Sequence, residues 1–398
     1  MKPPPVWNTS PKKSPAFGCW LVVGVIVAIL FSCFGSCFLS YSGYHNSGSW
    51  AGDSYRSFGV RQAFVRNDVD QVAATRDGTT LLIREGRTIS KLNPVNLTPE
   101  AFLALSEEPV DMALSSDGMK AGVYLASGIV HILDVATLTT KLTIDIGPPN
   151  EGVDTPVVDS LSADGKRVSR FMADGEYREW DADTGKPIRQ MRVPGIRRGS
   201  GILDSPDGKY VVLLGSEAKD GSHVGVLYGP NGRLQSIGTS GVIAFSVNSD
   251  LLWYRAPDGG LIALEMATGK KKHLVVGESN ISALTTSGDR RVVVNDGGSD
   301  DGRIGGPSEI VGIGRNSVHI GYVPDLLPVV TWWKGHIVAG GRGGRILIID
   351  ADSGSPEAEL KGHQAVVLQC IPFGERLVTR DISGKLCLWD WPSLGYAN

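Results

Sequence analysis

Cysteine is scarce outside one short stretch of this sequence. Three of the five cysteines lie within residues 17–41, so only Cys370 and Cys387 remain for the rest of the chain. A disulfide framework needs more pairs than this, and the fold must therefore be stabilised by its hydrophobic core. With 398 residues the chain can bury a large one, because the buried share of the surface grows with chain length.

Catalytic signatures are missing as well. The patterns GxSxG, HExxH and GxxxxGK[ST], which mark a hydrolase nucleophile, a zinc protease and a phosphate-binding loop, do not occur. The seven histidines are scattered, and none follows another at metal-ligand spacing. We therefore predict no catalytic, cofactor-binding or metal-binding residue and no cofactor, and we expect a binding protein rather than an enzyme.

Two glycine-rich runs need a separate interpretation. Residues 296–302 carry the oxygen ligands that calcium prefers, but they lack the spacing and the closing glutamate of an EF-hand. Residues 340–344 join two predicted strands rather than a strand and a helix, so no helix N-terminus faces an anion there. We interpret both runs as loops.

An excess of basic residues is also missing. The chain has 39 lysines and arginines against 42 acidic residues, for a net charge of −3. Domains that bind nucleic acid concentrate positive charge on one face. The short clusters Arg197-Arg198 and Lys270-Lys271-Lys272 fit solvated turns instead. We therefore predict that nucleic acid is not a partner.

Residues 17–41 contain no charge at all and read FGCWLVVGVIVAILFSCFGSCFLSY. A helix needs about 20 mostly apolar residues to span a membrane, and this run is long enough. Lys2, Lys12 and Lys13 precede it, whereas residues 42–55 contain no lysine or arginine. Because basic residues favour the cytoplasmic side, we predict a single-pass anchor with the N-terminus inside and the rest periplasmic or at the cell surface.

Two other interpretations of this run stay open. A cleaved signal peptide has an apolar region of about 7–15 residues and a small-residue cleavage site, whereas this run is longer and lacks a clear site. A lipoprotein signal needs a small residue just before a cysteine, and Ser32-Cys33 and Ser36-Cys37 are poor versions of that pattern. All three interpretations export the remaining chain, so the predicted compartment does not depend on the choice.

Small residues recur every four positions along the same run. The stripe consists of Gly24, Ala28, Ser32, Ser36 and Ser40. On a helix they share one face, and small residues allow helices to approach closely in a membrane. Self-association through this face is therefore a further candidate interaction.

A tight-turn signal recurs through the remaining sequence at intervals of about 40–47 residues, the period of a propeller blade. Asp-Gly between apolar runs indicates a hairpin, because glycine accepts a positive φ. The eight turn signals are Asp77-Gly78, Asp117-Gly118, Asp164-Gly165, Asp207-Gly208, Ser249-Asp250, Gly288-Asp289, Lys334-Gly335 and Gly374-Glu375.

A second signal follows in five of the units, where a glycine stands five residues before an apolar–acidic pair. These pairs are Leu133-Asp134, Trp180-Asp181, Leu264-Glu265, Ile349-Asp350 and Trp389-Asp390. Each unit then has room for four strands. We predict an all-β propeller of eight four-stranded antiparallel blades. Seven blades are the alternative, because the sixth unit is irregular and carries an insertion at residues 296–306.

The last unit has only three predicted strands before the chain nearly ends. Residues 58–65, FGVRQAFV, precede the first unit and can supply the fourth strand, which would leave no open blade edge between the first and last units. The predicted organisation is a Pro/Lys-rich cytoplasmic tail over residues 1–16, a transmembrane helix over 17–41, a flexible Ser/Gly-rich linker over 42–57 and the propeller over 58–395.

The last unit also resembles a WD40 repeat, through Lys361-Gly362-His363 and Leu388-Trp389-Asp390. Glu179-Trp180-Asp181 resembles a second. The resemblance implies a buried hydrogen-bond relay of histidine, serine or threonine, aspartate and tryptophan within a blade. Carried over, His363, Thr379 and Trp389 occupy three places, and Ser383 stands where the aspartate would be. In the third unit Asp174 and Trp180 match, without a histidine.

WD40-like chains act mainly as platforms for other proteins, so the resemblance implies an interaction platform at the membrane. Two alternatives remain. One is an envelope-assembly factor that binds exported proteins, like the eight-bladed lipoprotein that aids outer-membrane protein insertion. The other is a quinoprotein-like enzyme, suggested by the turn at residues 181–185. The tryptophan that follows this turn in those enzymes is absent here.

Overall fold

The computed structural model describes residues 61–147, 158–172, 174–217, 222–229, 232–239, 243–274, 281–286, 292–298, 304–313, 318–323, 326–351 and 356–390. The predicted tail, membrane helix and linker lie outside these residues, as does the predicted turn at Gly288-Asp289. Within the described ranges, no helix has the length and apolar character needed to cross a membrane.

The described strands pair into eight four-stranded antiparallel sheets, which are the blades of a propeller. Seven blades consist of four consecutive strands, and we number them 1 to 7 in chain order. Blade 8 combines the last three strands with the first strand of the chain. The predicted all-β propeller of four-stranded antiparallel blades is confirmed, including the completion of the last blade by an N-terminal strand.

Blades 1 to 4 have compact strands of four to nine residues. Blade 1 comprises β2 (Gln71–Ala74), β3 (Leu81–Glu85), β4 (Thr88–Leu92) and β5 (Pro99–Ala104). Blade 2 comprises β6 (Pro109–Leu114), β7 (Lys120–Leu125), β8 (Ile129–Asp134) and β9 (Thr139–Asp145). Blade 3 comprises β10 (Val158–Leu161), β11 (Arg167–Phe171), β12 (Glu176–Asp181) and β13 (Pro187–Arg192). Blade 4 comprises β14 (Ile196–Asp204), β15 (Val211–Glu217), β16 (His223–Gly229) and β17 (Gly232–Gly238).

Blades 5 to 8 follow the same plan. Blade 5 comprises β18 (Ile243–Phe245), β19 (Leu251–Arg255), β20 (Leu261–Glu265) and β21 (Lys271–Leu274). Blade 6 comprises β22 (Ile281–Thr286), β23 (Val292–Gly298), β24 (Ile304–Ile313) and β25 (Val318–Val323). Blade 7 comprises β26 (Leu326–Trp333), β27 (His336–Gly341), β28 (Ile346–Asp350) and β29 (Pro356–Leu360). Blade 8 comprises β30 (Val367–Phe373), β31 (Arg376–Asp381), β32 (Leu386–Asp390) and β1 (Arg61–Arg66).

The first strand of each blade lies innermost. Strands β2, β6, β10 and β14 contact one another in this order, as do β18, β22, β26 and β30. The fourth strand of each blade is therefore outermost, and in blade 8 this place is taken by β1.

The Asp-Gly turns join the first and second strands, as the sequence predicts. In each of blades 2, 3 and 4 a serine hydroxyl donates to the turn aspartate, as Ser115 Oγ does to Asp117 Oδ1 at 2.6 Å. The same carboxylate accepts the backbone N–H of Met119 at 3.0 Å. Gly118 follows with a φ of 69°, which only glycine adopts without strain.

The hydrophobic core lies between the blades. One cluster, for example, packs Leu82 and Ile89 of blade 1 against Met112, Val123 and Leu133 of blade 2. Comparable clusters join blades 2 and 3, 3 and 4, 4 and 5, and 7 and 8. The sheets of blades 2, 3 and 4 therefore bury both faces, which explains why a strand such as β7, KAGVYL, is largely apolar.

Blade 8 also packs directly on blade 1. Phe373 and Leu388 of blade 8 lie in one buried cluster with Val72 and Ile83 of blade 1. The two first turns of these blades meet, because Gly374 N donates to Arg76 O at 3.0 Å. Together with the pairing of β1 and β32, these contacts join the two ends of the described chain.

Candidate functional site

A buried hydrogen-bond relay crosses blade 8. His363 precedes β30, and its Nε2 lies 2.7 Å from Thr379 Oγ1 on β31. Trp389 Nε1 on β32 donates to the same oxygen at 2.7 Å. On the other side of the ring, His363 Nδ1 lies 2.8 Å from Asp381 Oδ2. The relay therefore links the second and third strands of the blade to the chain that enters it.

The sequence-based assignment of Ser383 to the aspartate's place is wrong. Asp381 occupies that place, while Ser383 Oγ donates to the other carboxylate oxygen, Asp381 Oδ1, at 2.6 Å. Asp381 ends β31 and Ser383 lies two residues later, in the turn to β32. Strand β31 extends to Asp381, so the last residue of the strand, and not the turn residue, reaches the imidazole.

The relay contains the functional groups of a hydrolytic triad, but it is sealed from solvent. The side chains of His363 and Asp381 are 0% and 1% exposed. Burial lowers the pKa of His363, against the opposing effect of Asp381. Burial raises the pKa of Asp381, but hydrogen bonds from Ser383 and His363 outweigh it and the net pKa is lowered. No substrate reaches these atoms, so the arrangement stabilises the blade.

Blade 3 has a different buried network in place of this relay. Trp180 is buried, as the resemblance implies, but Asp174 lies in a turn, where it accepts the backbone N–H of Glu176 at 3.1 Å. The proposed relay role of Asp174 is therefore wrong. Tyr177 OH instead donates to the buried Glu179 Oε1 at 2.7 Å and lies 3.0 Å from Ser169 Oγ.

Three acids on the innermost strands, largely shielded from solvent, were not identified from the sequence. Asp111 and Asp159 have pKa values raised by burial, and burial raises the pKa of Asp204 to about 6. Perturbed acids of this kind often mark active sites. Each directly follows an apolar residue on an inner strand, and a charge at that position is the signal that could have identified them.

Two of these acids join neighbouring blades, and the third pairs within its own blade. Gln71 of blade 1 donates to Asp111 Oδ1 of blade 2 at 2.5 Å. Ser160 of blade 3 donates to Asp204 Oδ2 of blade 4 at 2.9 Å. Asp159 forms a bidentate pair with Arg170, with both N–O distances at 2.7 Å.

Arg170 extends this pattern, because it also donates to the carbonyl of Gly147, after the last strand of blade 2. The perturbed acids are thus engaged in contacts between blades or with an arginine, and we interpret them as structural.

The glycine-rich runs, predicted as loops, are loops only in part, because residues 296–298 and 340–341 belong to strands. Residues 340–344 connect β27 to β28 through one short 3-10 turn, Arg342–Gly344. Residues 296–298 belong to β23, whereas 299–303 lie outside the described residues. The first three residues of the insertion therefore form the end of strand β23 in blade 6.

No protein-family model matches this sequence, and no curated protein sequence matches it. Solved propellers do resemble the structure. The C-terminal WD40 domain of Sif2 gives a TM-score of 0.64 at 12% identity, over 84% of this chain and 99% of that one. The computationally designed Ika8 protein gives 0.61 at 18% identity, over 84% and 98%.

BamB from Moraxella catarrhalis is also similar, with a TM-score of 0.57 at 16% identity, over 83% of this chain and 99% of that one. At these identities the likeness shows the fold alone. It agrees with the WD40-like propeller expected from the repeats.

Proposed function

We propose that this chain is a membrane-tethered protein-interaction platform whose propeller stands outside the cytoplasm. The observation that carries the proposal is the contrast between its interior and its rim. Charged side chains of the inner strands are engaged in contacts between blades or with an arginine of the same blade, whereas the rim presents a large apolar side chain, Phe102, that is 72% exposed.

Phe102 lies on an open strand edge. It belongs to β5, the outermost strand of blade 1, which pairs with β4 on one side only. Unpaired edges are templates for another strand, and proteins commonly protect them with charge. The outer strands of blades 2 and 3 carry Lys141, Arg189 and Arg192, while in β5 a single charge, Glu100, precedes the last four residues, AFLA.

An exposed aromatic residue on an open edge is suited to strand addition. In this mode an extended segment of the partner supplies backbone hydrogen bonds, and side-chain contacts supply specificity. Val95, in the turn before β5, is 58% exposed and adds apolar surface near the start of the strand. We therefore propose that the partner is a protein with an extended apolar segment.

The proposed membrane tether is argued from the sequence alone. Residues 17–41 contain no charge, and the lysines at positions 2, 12 and 13 precede them. This asymmetry favours a cytoplasmic N-terminus. A reporter that is active only outside the cytoplasm, fused after Asn398, should be active in the full chain and inactive once residues 17–41 are deleted. An inactive fusion that is nevertheless produced at full length would contradict the proposed topology.

The platform is tested by capture from solubilised membranes with the full chain as bait, followed by mass spectrometry. Phe102→Asp should lose at least one protein that the unaltered chain recovers, because a charge there opposes apolar contact. Ile188→Asp is the matched control, since Ile188 is 51% exposed on the outer strand of blade 3. Circular dichroism checks that both variants are folded.

Two results would count against this function. One is identical recovery with the unaltered chain and Phe102→Asp, which would exclude the β5 edge. The other is recovery of nothing above background, which would exclude a stable protein partner. The identity of the captured proteins also tests the envelope-assembly alternative, because that function requires exported proteins among them.

A further inference from the structure

Three metal-ligand side chains converge in blade 7. His336 begins β27, Asp350 ends β28 directly opposite it, and Glu357 lies at the start of β29. One ligand atom from each residue lies within 4.8 Å of the other two, and all three residues are partly buried. We call this group the blade 7 trio.

A β-bulge brings Glu357 into the trio. Ile348 is opposite Ala358, and Ile349 is opposite Pro356, so Glu357 is the extra residue of its strand. Bulges change the direction of a side chain and are frequent beside functional sites. The bulge places Glu357 Oε2 2.8 Å from His336 Nε2.

A backbone carbonyl sets the orientation of the imidazole. His336 Nδ1 lies 2.8 Å from Lys334 O. A carbonyl oxygen can only accept, so Nδ1 carries the proton and donates it. A histidine that ligates a metal through one nitrogen commonly donates the other N–H to a carbonyl or carboxylate. Nε2, which lies 2.8 Å from Glu357 Oε2, is thus the nitrogen on the side of the trio's carboxylates.

The corresponding positions in two other blades carry residues that cannot ligate a metal. In blade 2, Lys120 is opposite Asp134 in register, and the bulge residue Lys141 forms an ion pair with Asp134 at 2.5 Å. In blade 8, Arg376 is opposite Asp390 and pairs with it at 2.6 Å.

The difference from blade 7 is chemical. Ammonium and guanidinium groups have no lone pair to offer. At the corresponding positions, blade 7 has the imidazole of His336 in place of a permanent cation and has Glu357 as a second carboxylate.

The lysine nearest to the trio in sequence is directed elsewhere. The Lys334 ammonium forms an ion pair with Glu375 of blade 8. It therefore balances an acid of the neighbouring blade, and the two carboxylates of the trio face the imidazole.

We propose that His336 Nε2, Asp350 and Glu357 bind one zinc ion. Zinc takes imidazole nitrogen and carboxylate oxygen at about 2.0–2.2 Å, which places tetrahedral ligand atoms roughly 3.4 Å apart. The 2.8 Å contact between Glu357 Oε2 and His336 Nε2 must therefore open slightly to admit the ion. Three protein ligands leave a fourth tetrahedral position for water. Imidazole favours zinc and copper over magnesium and calcium, which prefer oxygen ligands alone.

Calorimetric titration of Zn²⁺ into the full chain in detergent, stripped of metal beforehand, tests the proposal. The unaltered chain should bind one more zinc ion than His336→Lys, which restores the cation found in blade 2. Glu357→Gln should weaken that site at least tenfold. His131→Gln is the matched control, because His131 lies in β8 with Thr143 as partner, and it should bind as the unaltered chain does.

Thermal unfolding gives a second measurement that does not depend on counting ions. Zinc should raise the unfolding temperature of the unaltered chain and of His131→Gln, because a ligand of the folded state stabilises it. The rise should vanish in His336→Lys, whose metal-free unfolding temperature shows whether it is folded. Equal zinc stoichiometry and equal thermal shifts in the unaltered chain and His336→Lys would overturn the site.

Discussion

Blades 7 and 8 are neighbours, and each places a histidine in contact with carboxylates, but the two histidines have opposite surroundings. His363 in blade 8 is sealed and has a partner on both nitrogens. The side chain of His336 in blade 7 is 20% exposed and faces Glu357, which is 36% exposed. Burial thus separates a histidine that is enclosed by the fold from one that solvent reaches.

The two blades also differ in how they are assembled. Blade 7 consists of consecutive strands, whereas blade 8 needs β1, which is more than 300 residues away from β32 in sequence. A contact between such distant segments has a large entropic cost of loop closure. The complete hydrogen-bond relay lies in blade 8. We infer that its stabilisation offsets part of the entropic cost of pairing β1 with β32.

Removal of His363 should have the largest effect on stability. His363→Ala leaves the Asp381 carboxylate and the Thr379 hydroxyl buried with one partner fewer, and losses of this kind cost about 3 kcal/mol. Urea denaturation of the full chain in detergent, followed by tryptophan fluorescence, measures the change. A cost below about 1 kcal/mol would remove the distinction between the two histidines.

Replacement of Asp204 tests whether burial of the inner-strand acids changes the free energy of unfolding. Burial raises the pKa of Asp204 to about 6, above the value of about 3.9 in an unfolded chain. Between these values the folded chain holds more protons, so this residue lowers the free energy of unfolding as the pH rises from about 4 to about 6. Asp204→Asn should raise stability at pH 8 by up to about 2 kcal/mol.

The control for Asp204→Asn is the same variant at pH 4, where the aspartate is largely protonated and the gain should be small. Ser160 can still donate to the amide oxygen of Asn. If the variant were less stable than the unaltered chain at both pH values, the ion pair with Arg167 would outweigh the cost of burial, contrary to our expectation.

Ser383 sharpens the account of the relay itself. Ser383→Ala removes one hydrogen bond to Asp381, while the His363 contact and the backbone N–H groups of residues 383 and 385 remain. The expected cost is about 1 kcal/mol, well below that of His363→Ala in the same urea denaturation. Equal losses of stability for the two variants would mean that Ser383 stabilises the blade as much as His363 does.

His336 should have the smallest effect on stability in the absence of metal. Its contacts with Glu357 are partly solvated, and ion pairs of this kind contribute about 0.5 kcal/mol or less. His336→Gln measured with a chelator present should therefore denature nearly as the unaltered chain does. A loss comparable to that of His363→Ala would show that blade 7 also depends on its histidine for folding.

Much of this architecture could be predicted from the sequence because its signals are local. The turn at Asp117-Gly118 needs a positive φ that glycine provides, and apolar runs such as residues 121–125 form strands buried on both faces. The relay residues His363, Thr379 and Trp389 were also identified. Asp381 was missed, since the end of β31 depends on pairing with β30 and β32.

Contacts across blades could not be predicted in the same way. Asp204 accepts a hydrogen bond from Ser160, which is 44 residues away in sequence. This contact depends on how two neighbouring sheets pack and not on any local pattern. The blade 7 trio was likewise missed. Its histidine stands alone in sequence, and only strand register and a bulge bring Asp350 and Glu357 to it.

The whole account rests on the ring being closed by β1. Val65 of β1 is opposite Cys387 of β32, and antiparallel partners lie within the Cα separation of about 4.4–6.8 Å that a disulfide bridges. Val65→Cys in the full chain should therefore cross-link to Cys387 under mild oxidation, as mapped by mass spectrometry of the digested protein. We predict this disulfide in the folded chain and its loss when Cys387 is replaced by serine. Failure of the two residues to cross-link in folded protein would contradict the closed propeller.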